Sequence, residues 1–174
     1  MPFLIFAAGA VLAIYFFIIR ARNAADVATG LVEMASDVRL AARRFGFIRK
    51  SNQHAVDGIE DARLAMAGLA VSFLEMDDFP TQEQRDALLL ALQTEFGIPK
   101  DEATEMMVLG RWLMNECGGV SPAVSRLSRK LYKMDGAAAI TPVMALVKAG
   151  VGGGGLGKAR LDALEDVKRA FRIN

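Results

Sequence analysis

The sequence predicts an all-α protein. A single N-terminal transmembrane helix is followed by a cytoplasmic helical bundle and a C-terminal amphipathic helix on a glycine leash. Three observations predict this. Residues 3–19 read FLIFAAGAVLAIYFFII, with no charge and one hydroxyl, on Tyr15. From residue 57 to residue 148 apolar positions recur at steps of three and four, the helical period, and no stretch alternates with period two for long enough to argue a strand. Residues 150–157 read GVGGGGLG, six glycines in eight, a composition that behaves as flexible coil.

The apolar run gives roughly 26 Å of helix at about 1.5 Å per residue. That is slightly short of the ~30 Å hydrocarbon core, and Arg20 and Arg22 can snorkel to make up the difference. A cleaved signal peptide fits less well. No Lys or Arg precedes the run, and Arg20-Ala21-Arg22-Asn23 is a poor cleavage site. Residues 1–22 are therefore expected to be a retained anchor. Arg20, Arg22, Arg39, Arg43, Arg44, Arg49 and Lys50 all follow it, so the positive-inside rule puts the N-terminus outside and the remainder in the cytoplasm of a single-pass, bacterial inner-membrane protein. Ala7, Gly9, Ala10 and Ala13 lie within two turns of one another and would let a second transmembrane helix approach closely.

Residues 23–56 are expected to form a juxtamembrane helix, with Val27, Leu31, Met34, Val38 and Phe45 at helical spacing, and a polar connector, KSNQHAV. The domain at 57–148 then opens with a helix over 57–77. Its stripe is Leu64, Gly68, Val71 and Leu74, widened by Ala65, Ala67 and Ala70. Thr81 and Gln84 have capping-box spacing and start the second helix, which Gly97 ends. Pro99, Asp101 and Glu102 suit the first turn of a third helix, closed by Gly118-Gly119. Ser121-Pro122 starts a fourth, ending at Asp135-Gly136, and Thr141-Pro142 a short fifth, through about Lys148. After the linker at 149–157, the tail 158–174 carries Leu161, Leu164, Val167 and Phe171 at steps of three and four, with charged residues between them. Acids and bases nearly balance there, which favours protein over lipid as the surface it covers. The series is expected to dock in a groove of a partner protein.

Charge is unevenly divided. Residues 51–120 carry four Lys/Arg against thirteen Asp/Glu, between basic flanks. No extended basic face exists for nucleic acid, while the stretch 39–50 suits the anionic surface of a lipid bilayer. Nucleophilic catalysis needs a nucleophile beside a base. The sole histidine, His54, sits in the polar connector, and the sole cysteine, Cys117, lies on an apolar helix face and agrees with a reducing compartment. The glycine run lacks the Gly-Lys-Ser/Thr ending of a phosphate loop and follows no strand. No enzyme, small-molecule substrate or organic cofactor is evident. Asp77 and Asp78, with Glu83 in the next first turn, form the one acidic constellation able to attract a hard cation, although helix capping needs the same residue types.

Within 57–148, AMAGLAVSFLEMDD followed by FPTQEQRDALLLALQTEFGIPKDEATEMM resembles the TerB-like domain of tellurite-resistance proteins, also found in a membrane-anchored J-domain co-chaperone. Asp77, Thr81 and Glu83 fall where the family's turn and next helix begin, and Asp135-Gly136 near where it repeats the turn. The resemblance implies a small helical bundle and a divalent cation held by acids of both turns, here Asp77, Asp78, Glu83 and Asp135. The chain departs from the pattern at Asp78, where the family prefers Gly, and at Ala137-Ala138-Ala139, which carries no acid after the second turn. It also lacks the His-Pro-Asp triplet of a J domain, so co-chaperone activity does not carry over. The expectation is a non-catalytic, membrane-anchored interaction protein, an accessory or assembly subunit of an integral-membrane complex such as those of the respiratory chain. The alternative is a metal-binding or stress-response membrane protein of the tellurite-resistance type.

Overall fold

Asp61 opens the first helix by accepting a hydrogen bond from the backbone N–H of Arg63 at 2.9 Å, a side-chain cap on an otherwise orphaned donor. The computed structural model describes residues 54–76, 80–152 and 157–173, and the regular structure among these is entirely helical. The chain divides after Asp37, and every described residue belongs to the second unit. A 3-10 turn over Ala55–Gly58 leads into α1 (Ala62–Leu74), α2 (Gln82–Phe96), α3 (Lys100–Glu116) and α4 (Val120–Asp135). A second 3-10 turn, Gly136–Ala139, joins α4 to α5 (Ile140–Val151), and α6 (Lys158–Ala170) is the tail. The expected anchor, its Ala7, Gly9, Ala10 and Ala13, and the juxtamembrane stretch to residue 53 lie outside the described residues.

The bundle is built around α1. Every residue from Leu64 to Leu74 is buried, because α3, α4 and α5 all pack on it. A helix apolar on every side belongs in a core, and the one-sided stripe expected from Leu64, Gly68, Val71 and Leu74 understates how fully it is enclosed. Ser72 is tolerated there because its hydroxyl donates to the Gly68 carbonyl at 2.8 Å. The α1–α3 crossing is made backbone on backbone. A Cβ on Gly110 would sit 3.0 Å from Gly68 Cα and 3.2 Å from Gly68 N, so only glycine lets the helices come this close.

α2 packs on α3 and α5, burying Leu88 and Leu92. Its N-terminus carries the expected capping box. Thr81 Oγ1 accepts from the N–H of Gln84 at 3.2 Å, and Gln84 Oε1 accepts from the N–H of Thr81 at 2.8 Å. The same Gln84 donates from Nε2 to the Val151 carbonyl at 3.1 Å, tying the start of α2 to the end of α5. At its other end Gly97 adopts φ 62°, the left-handed cap.

Two boundaries differ from the sequence reading. The first helix starts at Ala62 rather than 57, since Asp61 supplies the cap and residues 55–58 close a tighter turn. The fifth helix runs on through Gly150 and Val151. Gly150 stays helical despite its composition because it lies against Leu88, to which an added Cβ would come within 3.6 Å. The apolar stretch 120–151, the one region among the described residues long and apolar enough to cross a membrane, is α4 and α5 joined through the turn at Gly136, and both helices contribute buried side chains to the bundle.

Candidate functional site

Of the residues expected to hold a cation, the two that the structure describes, Glu83 and Asp135, are not brought together. Asp77 and Asp78 lie outside the described residues. Glu83 is exposed in the first turn of α2, and Asp135 is exposed where α4 ends. Gln84 is bonded to the last residue of α5, whereas Asp135 precedes the first, so about 18 Å of helix separates Glu83 from Asp135. Asp135 shares a shallow cleft with Glu60, Asp61 and Arg63. There Arg63 pairs with Asp61 at 2.6 Å and approaches Glu102 at 3.8 Å, and its hydrogen bond to Asp61 raises its pKa. Among the described residues no three metal-ligating side chains cluster.

The tail lies on α4 of its own domain. Val167 and Phe171 are buried there with Ala163 and Arg160, Leu164 is partly buried, and Leu161 is 49% exposed. The Phe171 ring meets Tyr132 edge-on at 5.9 Å and 76°, and the Arg172 guanidinium lies 5.3 Å from the same ring, a cation–π contact. Val167 and Phe171 are thus engaged by the chain's own bundle, not held free for a partner. The buried stripe is Arg160, Ala163, Val167 and Phe171, one residue out of phase with Leu161 and Leu164, because alanine and the stem of an arginine pack here as apolar surface.

Cys117 ends α3 and is half-buried, and burial pushes its thiol pKa up, opposed by Arg126 and reinforced by Glu116. A protonated thiol is a poor nucleophile. His54 accepts the N–H of Val56 at 3.3 Å and serves as a cap.

A further concavity was not among the expected sites. It is a half-open cleft between α2 and α3, with Val71 of α1 in its lining, and has a volume of about 310 Å³. Gln82, Arg85, Asp86 and Leu89 line it from α2, and Thr104, Met107, Val108 and Arg111 from α3. Both quartets follow i, i+3, i+4, i+7, which places four side chains on one face of each helix. Arg111 forms an ion pair with Glu75 from Nη2, and Asp86 accepts from the Gln82 amide at 2.9 Å. Arg85 makes no hydrogen bond or ion pair among the described residues, and the Nε atoms of both arginines are buried without an acceptor. Such donors normally find one. The sequence held one signal for this site. Only four basic residues lie in the acidic stretch 51–120: Arg63 and Arg111 are matched with acids, and among the described residues Arg85 is not. No family model, curated protein or solved structure matches the chain.

Proposed function

We propose that this chain is a membrane-anchored, non-catalytic interaction protein, an accessory or assembly subunit of an inner-membrane complex, with its helical domain in the cytoplasm. The observation that carries the reading is the uncharged run at 3–19, followed at once by Arg20 and Arg22 and by further basic residues through Lys50. A run of that length and composition is suited to lipid, and the basic residues after it to the cytoplasmic face. The resemblance of 57–148 to TerB-like domains agrees with a helical binding module. The apolar side chains that the bundle leaves exposed, Leu90, Met144, Leu161 and Ile173, are open to contact with other proteins.

The test is fractionation followed by native electrophoresis. The full chain should stay with membranes through alkaline carbonate washing and, after mild detergent extraction, should migrate in an assembly well above its own mass. Release by carbonate removes the anchor from the reading. Migration as a lone monomer under every mild extraction removes the complex. Replacing Gly9 and Ala13 with Leu should free the protein from the assembly while leaving it in the membrane, if the Ala/Gly patch packs on a partner helix.

A further inference from the structure

The cleft between α2 and α3 combines a cationic group without a partner among the described residues and an apolar lining. Arg85 brings a full positive charge that no acid among the described residues pairs with. Arg111 lines the same cleft, but Glu75 already balances its charge. Asp86, also in the lining, sets a negative charge beside the opening. These four side chains sum to zero charge, so an anion here is held by the free guanidinium donors of Arg85 and not by a net positive field, and each further negative charge it carries counts against it. A dianion such as inorganic phosphate would meet Asp86 and Glu75 with its second charge, at a cost that grows as water is excluded. Val71, Leu89, Met107 and Val108 supply apolar lining that a bare inorganic ion would leave unused. The volume, about 310 Å³, lies at the lower end of the range for small-molecule sites.

We propose that this cleft binds an amphiphilic organic monocarboxylate. Its two oxygens meet the planar guanidinium fork of Arg85, which matches a carboxylate in spacing and plane, with Arg111 beside it. Its apolar body lies on Val71, Leu89, Met107 and Val108. The orphaned Nε donors gain acceptors when the long arginine side chains turn toward the ligand. The inference is independent of the anchored-adaptor reading.

The chain's single tryptophan, Trp112, follows Arg111 directly, so its fluorescence can be followed alongside calorimetry on the full-length protein in non-ionic detergent. The probes are sodium hexanoate, 1-hexanol and inorganic phosphate, at constant ionic strength. Hexanoate is expected to bind saturably in the millimolar range or tighter, with hexanol and phosphate each about tenfold weaker or worse. Arg85→Gln should weaken hexanoate about tenfold or more, because hydrogen bonds to a charged group are the strong ones. Arg85→Lys, which keeps the charge but not the fork, should fall between. Val108→Phe, which fills the lining, should abolish binding while the melting transition stays cooperative. Equal binding of hexanol would show a merely apolar crevice and overturn the assignment. Equal binding of phosphate would overturn the monocarboxylate. Unchanged affinity in Arg85→Gln and Val108→Phe, or no saturable signal, would overturn the site itself.

Discussion

Gly110→Ala adds a single methyl group at the tightest helix crossing in the bundle. The new Cβ would stand 3.0 Å from Gly68 Cα, 3.2 Å from Gly68 N and 3.4 Å from the Ala67 carbonyl carbon. All three neighbours are backbone, so no rotamer change relieves the overlap. Carbon atoms settle at about 3.5–4.0 Å, so α1 and α3 must part by roughly 0.5–1 Å. A gap of that size forfeits about a quarter to a half of the attraction in each contact along the crossing, and overpacking of this kind costs about 1–3 kcal/mol. Alanine returns up to about 1 kcal/mol through its better helix propensity. The balance is a loss of about 1–2 kcal/mol, or roughly 4–8 °C in melting temperature for a domain of this size. Thermal unfolding followed by circular dichroism at the helix band reads it directly. Gly68→Ala is the internal control. Its Cβ would meet chiefly Leu127 Cδ1, at 3.2 Å, a side-chain tip that can move, so its cost should be the smaller. A Gly110→Ala protein as stable as the parent, or more stable, would refute the backbone contact between these helices.

Other perturbations follow from single contacts. Thr81→Ala removes one arm of the capping box and should cost about 1 kcal/mol in thermal or urea unfolding. Gly97→Ala meets no steric obstacle but must hold φ at 62°, so about 1 kcal/mol of conformational strain should appear in the same assay. Phe171→Ala empties the site beside Tyr132 and should release α6, seen as faster proteolysis within 152–157. The stability lost is capped by the docking energy of α6, below the 3–5 kcal/mol of a fully enclosed phenylalanine. Cys117 has a thiol pKa raised by burial, so its contribution to stability is complete below the ordinary thiol pKa and is lost as pH rises through the elevated folded value. At pH 8 it should react with iodoacetamide more slowly than a free thiol, and a rate equal to that of a model thiol would contradict the burial.

Where helices start and stop is written in a few adjacent residues, and there the sequence was legible. Thr81 with Gln84, Gly97, Gly118-Gly119 and Asp135-Gly136 mark the boundaries at which the structure places them. The start of α1 was less so, because Asp61 is one acid among several near Gly58 and only its bond to Arg63 singles it out. Which faces meet was harder to read. α1 is apolar all round, so its periodicity carries no direction. The tail's apolar series reads as Leu161, Leu164, Val167 and Phe171, because leucine outweighs alanine in any apolar tally; Val167 and Phe171 lie inward, but Ala163 and Arg160 are buried with them and Leu161 is not. The α2–α3 cleft was hidden for another reason. Its quartets each have helical spacing, but their pairing depends on how α2 and α3 meet in the folded bundle, which the periodicity of neither helix specifies.

The enclosure of α1 sets a schedule for synthesis. Its apolar surface is complete by Leu74, but the last helix that covers it ends only at Val151. At translation rates of about 5–20 residues per second, the ribosome needs on the order of 4–15 s to make the intervening chain. During that time the most completely buried helix of the bundle has only part of its cover. Holding chaperones would have their greatest effect on yield in this interval. Chains stalled after Asp135 should stay open to protease at α1, and those extended past α5 should close. Protection already complete at the shorter length would show that α5 is dispensable for sheltering it.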